Sequence, residues 1–407
     1  MHSAIFLCLT LAGLCTVTHG HHLDKGQDEH NSTNPAALKL YKSVADFAIK
    51  LYGQLSSASP DKNVFFSPLS IISAFSLLSL GAKSATRTQI LEGLRFNLTE
   101  ITEEDINKGF HDVIPLLTRP NSGFQLDLGQ ALFLKDDLKP LQTFLDDAKA
   151  FYDTEVLHAK FQEPKEAKKQ VNHYVARKTN GKIVELIKDL DPETELAIVD
   201  YIVFKGTWKK PFDPALTTEK DFFVDQETTI SVPMMHGTGW FDYYFDAELS
   251  CTVLQLDYQG SATAFFVLPA PGKLKVVEEA LSLDTLTKWA ERVSRNTAEV
   301  YLPKFNISAS YELNEPLARL GITDVFSDHT DLSGITGQPL KVSKATHKAV
   351  LTVDERGTEA ATTTAIEMTP LSPPPTIHFN HTFLMMSFHK ETNLTLTISR
   401  IAIPNKQ

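Results

Sequence analysis

The stretch VLTVDERGTEAATTTAIEMTPLSPPP, residues 350–375, decides how this chain is read. It begins as a strand, passes Gly357, and runs through small and β-branched residues with neither a helical stripe nor a stop signal. Pro370, Pro373, Pro374 and Pro375 close it. Proline fixes φ and removes a donor, so an exposed, extended loop is expected there. Read with a period of two, one face carries Thr358, Ala360, Thr362, Thr364, Ile366 and Met368, without a charge. The other carries Glu359, Ala361, Thr363, Ala365, Glu367 and Thr369, so both carboxylates share one side. Such a segment can lie in solvent and is equally suited to become a half-buried strand. Composition alone leaves an ordinary exposed strand or a Thr-rich linker open.

Outward from this stretch, helical patterns dominate the first half of the chain and strands the second. Leu40, Val44, Phe47, Leu51 and Leu55 fall on one helical face. A second helix opens after Pro164, displays Ala167, Val171 and Tyr174, and stops at Asn180-Gly181. Residues 196–204 (LAIVDYIVF) are nearly all apolar, as in a strand covered on both faces, and 264–268 (AFFVL) are similar. Residues 300–302 and 340–342 are shorter strand candidates. With no repeat and no Gly/Ser linker, the pattern predicts one α+β domain over 36–407.

The 407 residues are 42% hydrophobic and 22% charged, normal for a globular protein and wrong for a disordered one. Lys+Arg 39 against Asp+Glu 50 gives a net charge of −11, which argues against nucleic acid as a partner. Residues 4–19 form an apolar run too short for a membrane helix, so 1–20 read as a secretory signal peptide. Sequons at Asn31, Asn97, Asn306, Asn380 and Asn393 agree with an exported glycoprotein of the extracellular space. Of these, Asn380 is expected inside a sheet and unmodified. Loss of the signal removes Cys8 and Cys15, leaving only Cys251, a small buried hydrophobe in a strand-like alternation. Residues 21–35 read as a mobile polar tail, and His21, His22 and His30 there have no scaffold to hold a metal. No cofactor, metal or membrane partner is expected, and a monomer is.

The run THKAVLTVDERGTEAATTT (346–364) closely resembles the hinge of the serpins, inhibitors of serine proteases that act by loop insertion. NVFFSPLSI (63–71), LSLGAKSATRTQILEGLRFNLTE (78–100), YIVFKGTWKKPF (201–212), VPMM (232–235), YLPKF (301–305) and DLSGITG (331–337) resemble serpin segments in the same order. The likeness spans about residues 40–407 and is strongest to the plasma branch that includes antitrypsin, antichymotrypsin and the corticosteroid and thyroxine carriers. It implies three β-sheets, roughly nine helices and a reactive loop at about 355–375. It also implies a covalent complex with a target serine protease, and no catalysis by the chain itself.

The resemblance places the reactive bond at Leu371-Ser372, with Met368 as a second bait, and implies proteases with an apolar primary pocket. Pro373 lacks the N–H that many proteases bind just past the bond, implying a slow or selective bait. Glu355, Gly357, Thr358, Glu359, Ala360 and Ala361 match the hinge, and Glu355 is expected to pair with Lys304. Ser67, Ser70 and His347 match a polar cluster beneath the opening strands, with Asp200 in place of an Asn. Trp208 matches the tryptophan under the point of first insertion. Ser67, His347 and Asp200 lack a Gly-x-Ser-x-Gly elbow, so they are read as a hydrogen-bond cluster and not a hydrolase triad. His381-Thr382 and Ser399 depart from the family pattern. Carriers within the branch hold a hydrophobic hormone between a helix and the second sheet, and Lys390 and Asn393 stand where their ligand residues would be. Glu100, Glu103, Glu104 and Asp105, with only a sparse row of Lys288, Arg292 and Arg295, argue against heparin control.

Overall fold

The computed structural model describes residues 35–119, 124–356 and 373–404. Leu40, Val44, Phe47, Leu51 and Leu55 are all buried along α1 (Pro35–Ala58), as their spacing predicts. Pro35 opens this helix and does not close the tail; a proline suits the first turn, where its missing N–H has no partner to lose. Ser67 caps α2 (Pro68–Gly81), its Oγ accepting the Ser70 N–H at 3.2 Å. Nearly every side of α2 is buried, so it forms the central rod of the helical layer. Next come α3 (Ser84–Gly93) and α4 (Glu103–Leu117), the latter started by a Thr102–Asp105 capping box. Then follow α5 (Gln142–Tyr152), α6 (Pro164–Lys178), α7 (Leu274–Glu279), α8 (Leu283–Arg292), α9 (Asn314–Arg319) and α10 (Ser333–Thr336).

The strands begin with β1 (Val64–Phe66), β2 (Phe124–Lys135), β3 (Glu155–Ala159) and β4 (Leu196–Gly206). The middle of the chain supplies β5 (Thr218–Phe223), β6 (Thr229–Asp246), β7 (Cys251–Asp257) and β8 (Ala262–Pro269). The last third supplies β9 (Ser294–Pro303), β10 (Phe305–Glu312) and β11 (Val342–Val353). Finally come β12 (Thr376–His378), β13 (Phe383–His389) and β14 (Thr395–Ile401). Leu340 is buried just ahead of β11 and outside it.

Five strands form one sheet, in the order β10-β11-β4-β2-β3. The other nine form a second network, β1-β14-β13-β8-β7-β6-β9-β12, with β5 also on β6. The expected three sheets are present as these two networks because β6 is continuous: Met234–Tyr243 pairs with β9, and Asp242–Asp246 pairs with β7. One long strand therefore joins two layers that would otherwise be counted apart.

Both faces of β4 are covered, which explains its unbroken apolar run. Ile198, Ile202 and Phe204 face the main core, while Val199, Tyr201 and Val203 lie in a second cluster with Val171 and Tyr174 of α6. Cys251 is buried at the start of β7 and is the free cysteine among the described residues; burial pushes its thiol up to about 12. No helix among the described residues is long and apolar enough to cross a membrane.

Candidate functional site

At the middle of the five-stranded sheet, β11 pairs with β4 in parallel, from Lys344↔Ala197 to Thr352↔Lys205. Each has an antiparallel neighbour on its other side, β10 beside β11 and β2 beside β4. Parallel pairing is slightly weaker per residue; β2 and β3 also pair in parallel at one edge, and β4–β11 is the parallel seam that has antiparallel ladders on both sides.

Ser67, Ser70, Asp200 and His347 meet beneath this seam, all at most 1% exposed. The Ser67 N–H donates to His347 Nε2 at 3.2 Å, so Nε2 accepts and Nδ1 is left to carry the proton. That Nδ1–H donates to Asp200 Oδ2 at 2.6 Å, and the Ser70 hydroxyl donates to Asp200 Oδ1. Ser67 Oγ is occupied as the helix cap and Ser70 Oγ points at the carboxylate, an arrangement of hydrogen bonds without a nucleophile–base contact.

The Asp200 carboxylate is thus answered by neutral donors. Asparagine would keep one oxygen for the His347 proton and offer an N–H to the Ser70 hydroxyl, without a buried charge. Asp200→Asn is expected to stabilise the protein by about 1–2 kcal/mol in urea denaturation, because a buried charge without a counter-charge is costly. A variant less stable than the natural chain would show that the carboxylate contributes more than its desolvation costs.

At the far end of β11 the chain leaves the sheet through Asp354 and Glu355. Glu355 Oε2 lies 2.9 Å from Lys304 Nζ, and its Oε1 accepts the Thr217 hydroxyl at 2.9 Å. Its backbone oxygen accepts the Phe212 N–H at 2.9 Å. Although burial opposes ionisation, Lys304 and Thr217 hold the Glu355 carboxyl below its ordinary range. The Trp208 indole N–H donates to the Asp354 carbonyl at 2.9 Å, and the ring stacks on Tyr258 with centroids 4.3 Å apart. The segment is therefore anchored up to the residue where the expected loop begins. Thr217 and Tyr258 escape a sequence reading because each lies far along the chain and carries no local signal. Gly357, Thr358, Glu359, Ala360, Ala361, Leu371, Ser372 and Asn31 lie outside the described residues, as do the expected signal peptide and tail up to residue 34.

The chain returns at β12, which pairs with β9 over Thr376↔Glu299, Ile377↔Val300 and His378↔Tyr301. Burial, then Lys220 and His381, lowers the pKa of His378, whose Nε2 has no partner; Glu299 opposes the shift. Burial likewise lowers that of His389, against a smaller opposing effect of Glu391. Both rings take up protons more readily in the unfolded chain, so their stability contribution is full above about pH 6.5. It is lost as pH falls from there through their depressed folded values. The melting temperature is expected to drop between pH 7 and about pH 5, before carboxylates such as Glu355 titrate. His378→Gln should flatten that slope in a pH series of thermal melts; an unchanged slope would remove His378 from the account.

A cavity of about 440 Å³ lies between α8 and the face of β8 and β13, walled by Phe265, Leu286, Phe388 and Thr395. Lys390 and Asn393 also line it, at the β13–β14 connection. Lys390 Nζ lies 2.8 Å from Asp257 Oδ2. Among the sequons, Asn97, Asn306 and Asn393 are exposed; the Asn380 carbonyl accepts the Phe223 N–H and its side chain lies 3.0 Å from His381 Nδ1.

An α+β body with a parallel central seam, a buried Ser-His-Asp cluster below it and an anchored hinge defines the class to compare. The family model described as Serpin (serine protease inhibitor) matches residues 42–404. The chain is 46% identical to an alpha-1-antiproteinase 2 of Equus caballus, with all of both chains covered. It is equally 46% identical to an alpha-1-antiproteinase of Bos taurus, covering 99% of this chain and 97% of the relative. Among solved structures, human thyroxine-binding globulin complexed with its hormone superposes with a TM-score of 0.86 at 41% identity, covering 91% of this chain and 100% of that one. Human glycosylated kallistatin gives 0.85 at 42%, covering 92% and 100%. This chain belongs to the serpin family.

Proposed function

We propose that this chain is a secreted serine-protease inhibitor acting as a suicide substrate, directed at chymotrypsin-like or elastase-like proteases with an apolar primary pocket. In this reading the protease serine attacks the Leu371 carbonyl carbon and an ester forms. The Leu371-Ser372 bond breaks, and the Ser372 amine leaves with a proton from the protease histidine. Residues 358–369 then enter between β4 and β11 before water can hydrolyse the ester. A single buried leucine in the protease pocket contributes on the order of 1.5–3 kcal/mol, enough to favour an apolar slot over an acidic one.

The observation that carries this reading is the parallel β4–β11 seam. A chain that turns back at the end of β11 runs antiparallel to β11 and hence to β4 as well. The twelve residues of 358–369 match the twelve of β11 in length. Export is supported by the apolar run at 4–19 and by the exposed sequons. The test is to mix the protein with chymotrypsin, cathepsin G and neutrophil elastase. A denaturant-resistant complex near the summed mass is expected; cleaved chain beside free, active protease would overturn the reading.

One observation favours a second reading, carriage of a hydrophobic hormone: the cavity at Lys390 and Asn393. Lys390 is already paired with Asp257, which suits a neutral ligand better than an acid. A tight steroid isotherm would support it, and a tight thyroxine isotherm would support carriage with Lys390 released from Asp257.

A further inference from the structure

The cavity beside α8, on which the hormone-carriage reading rests, has a residue at its mouth whose modification neither reading accounts for. Its wall is apolar where Phe265, Leu286 and Phe388 meet, and Thr395 Oγ1 is buried there without a hydrogen-bond partner. Its rim is built by the β13–β14 hairpin. That hairpin is closed by the His389 N–H donating to the Leu394 carbonyl at 3.0 Å, and tied sideways by the Lys390 N–H donating to Ser261 O at 2.7 Å. Lys390 is held on Asp257, so one side of the mouth is fixed.

Asn393 stands on this rim, exposed and yet lining the cavity, with φ of 57°. It opens the sequence Asn393-Leu394-Thr395, an Asn-x-Thr acceptor. The side chain that would bear a sugar is thus part of the cavity's edge. Leu394 and Thr395 behind it are buried, which leaves the modified amide no route but outward past the mouth. An N-linked glycan is bulky and hydrophilic, and its first sugars are fixed to within a few bonds of the asparagine.

We propose that Asn393 carries an N-linked glycan whose first sugars lie across the mouth of this cavity, so that the glycosylated protein excludes neutral apolar molecules that the unglycosylated protein admits. This rests on the secretory route proposed above. The glycan then decides which reading of the cavity applies: closed in the modified form, open in the bare one.

The test uses the full chain secreted from a glycosylating cell line, with site occupancy read by peptide mass mapping and cavity access by the fluorescence of N-phenyl-1-naphthylamine, a neutral apolar probe. Asn393→Gly removes the acceptor and suits the positive φ, so the hairpin is undisturbed. Asn97→Gln removes an exposed sequon elsewhere and serves as the control. Sugar on Asn393 is expected, with Asn393→Gly binding the probe at least about tenfold more tightly than the natural chain and Asn97→Gln binding it no better. A bare Asn393 beside a modified Asn97 would overturn the proposal while leaving secretion intact. Equal probe binding by the natural chain and Asn393→Gly, including no binding by either, would overturn it too. Absence of sugar from every sequon of the secreted chain would overturn the proposal alone, whereas a chain retained inside the cells and bare at every sequon would remove the secretory reading together with it.

Discussion

Cutting the purified protein once between residues 366 and 372 is expected to raise its melting temperature by about 10 °C. In the uncut chain β4 and β11 satisfy each other across the parallel seam. Admitting a new strand breaks that one ladder and forms two antiparallel ones, a net gain of one ladder about a dozen residues long. The new hydrogen bonds, at roughly 0.5–1.5 kcal/mol each, together with burial of the uncharged face, outweigh the entropy of ordering the loop, and a surplus of about 8 kcal/mol is expected. For a chain of this size, unfolding entropy scales to somewhat under ~1 kcal/mol per degree, so such a gain appears as a shift of about ten degrees. From Thr376 onward the chain is held on β9 by β12, at a distance in sequence from the seam. Cutting frees the residues before the cut from that hold. Scanning calorimetry before and after nicking with a non-target protease measures the difference. A cut chain that melts with the uncut one would leave insertion without a driving force, and the trap would have no means of outrunning deacylation.

Much of this arrangement could be read from residues close together in the chain. The α1 stripe, the two-sided burial of β4 and the stop at Asn180-Gly181 each follow from a local pattern; Asn180 and Gly181 indeed take positive φ. The Lys304–Glu355 contact and the Ser67/Ser70/Asp200/His347 cluster follow from resemblance and not from local pattern, because their members lie up to hundreds of residues apart. What stayed out of reach was which strand faces meet. Nothing near Trp208 announces that Tyr258 will stack on it, and nothing near Lys390 announces Asp257. The number of sheets depended on whether β6 bends or breaks, a matter of backbone continuity that alternation along Thr229–Asp246 does not encode.

The same period of two supplies the sharpest test of activity. Thr362→Arg is expected to convert the inhibitor into a substrate, whereas Thr363→Arg, one residue on, should leave it a trap. Residue 362 belongs to the uncharged set that would turn inward on insertion, and 363 to the carboxylate-bearing set, with Glu359 and Glu367, that would turn to the opposite, α6 side of the sheet. An inward arginine with no carboxylate to meet it costs several kcal/mol. If about 3–4 kcal/mol of that is felt in the step where the loop enters the sheet, insertion slows by roughly two to three powers of ten. Acylation is untouched, because the bait residue and the bond it flanks are unchanged. The protease then hydrolyses its ester before it is displaced. On a denaturing gel the Thr362→Arg protein should run almost wholly as cleaved chain beside active protease, and Thr363→Arg mainly as the complex. Were both variants to trap the protease equally, the two faces would not be distinguished on entry, and the segment could not be joining the sheet as a strand.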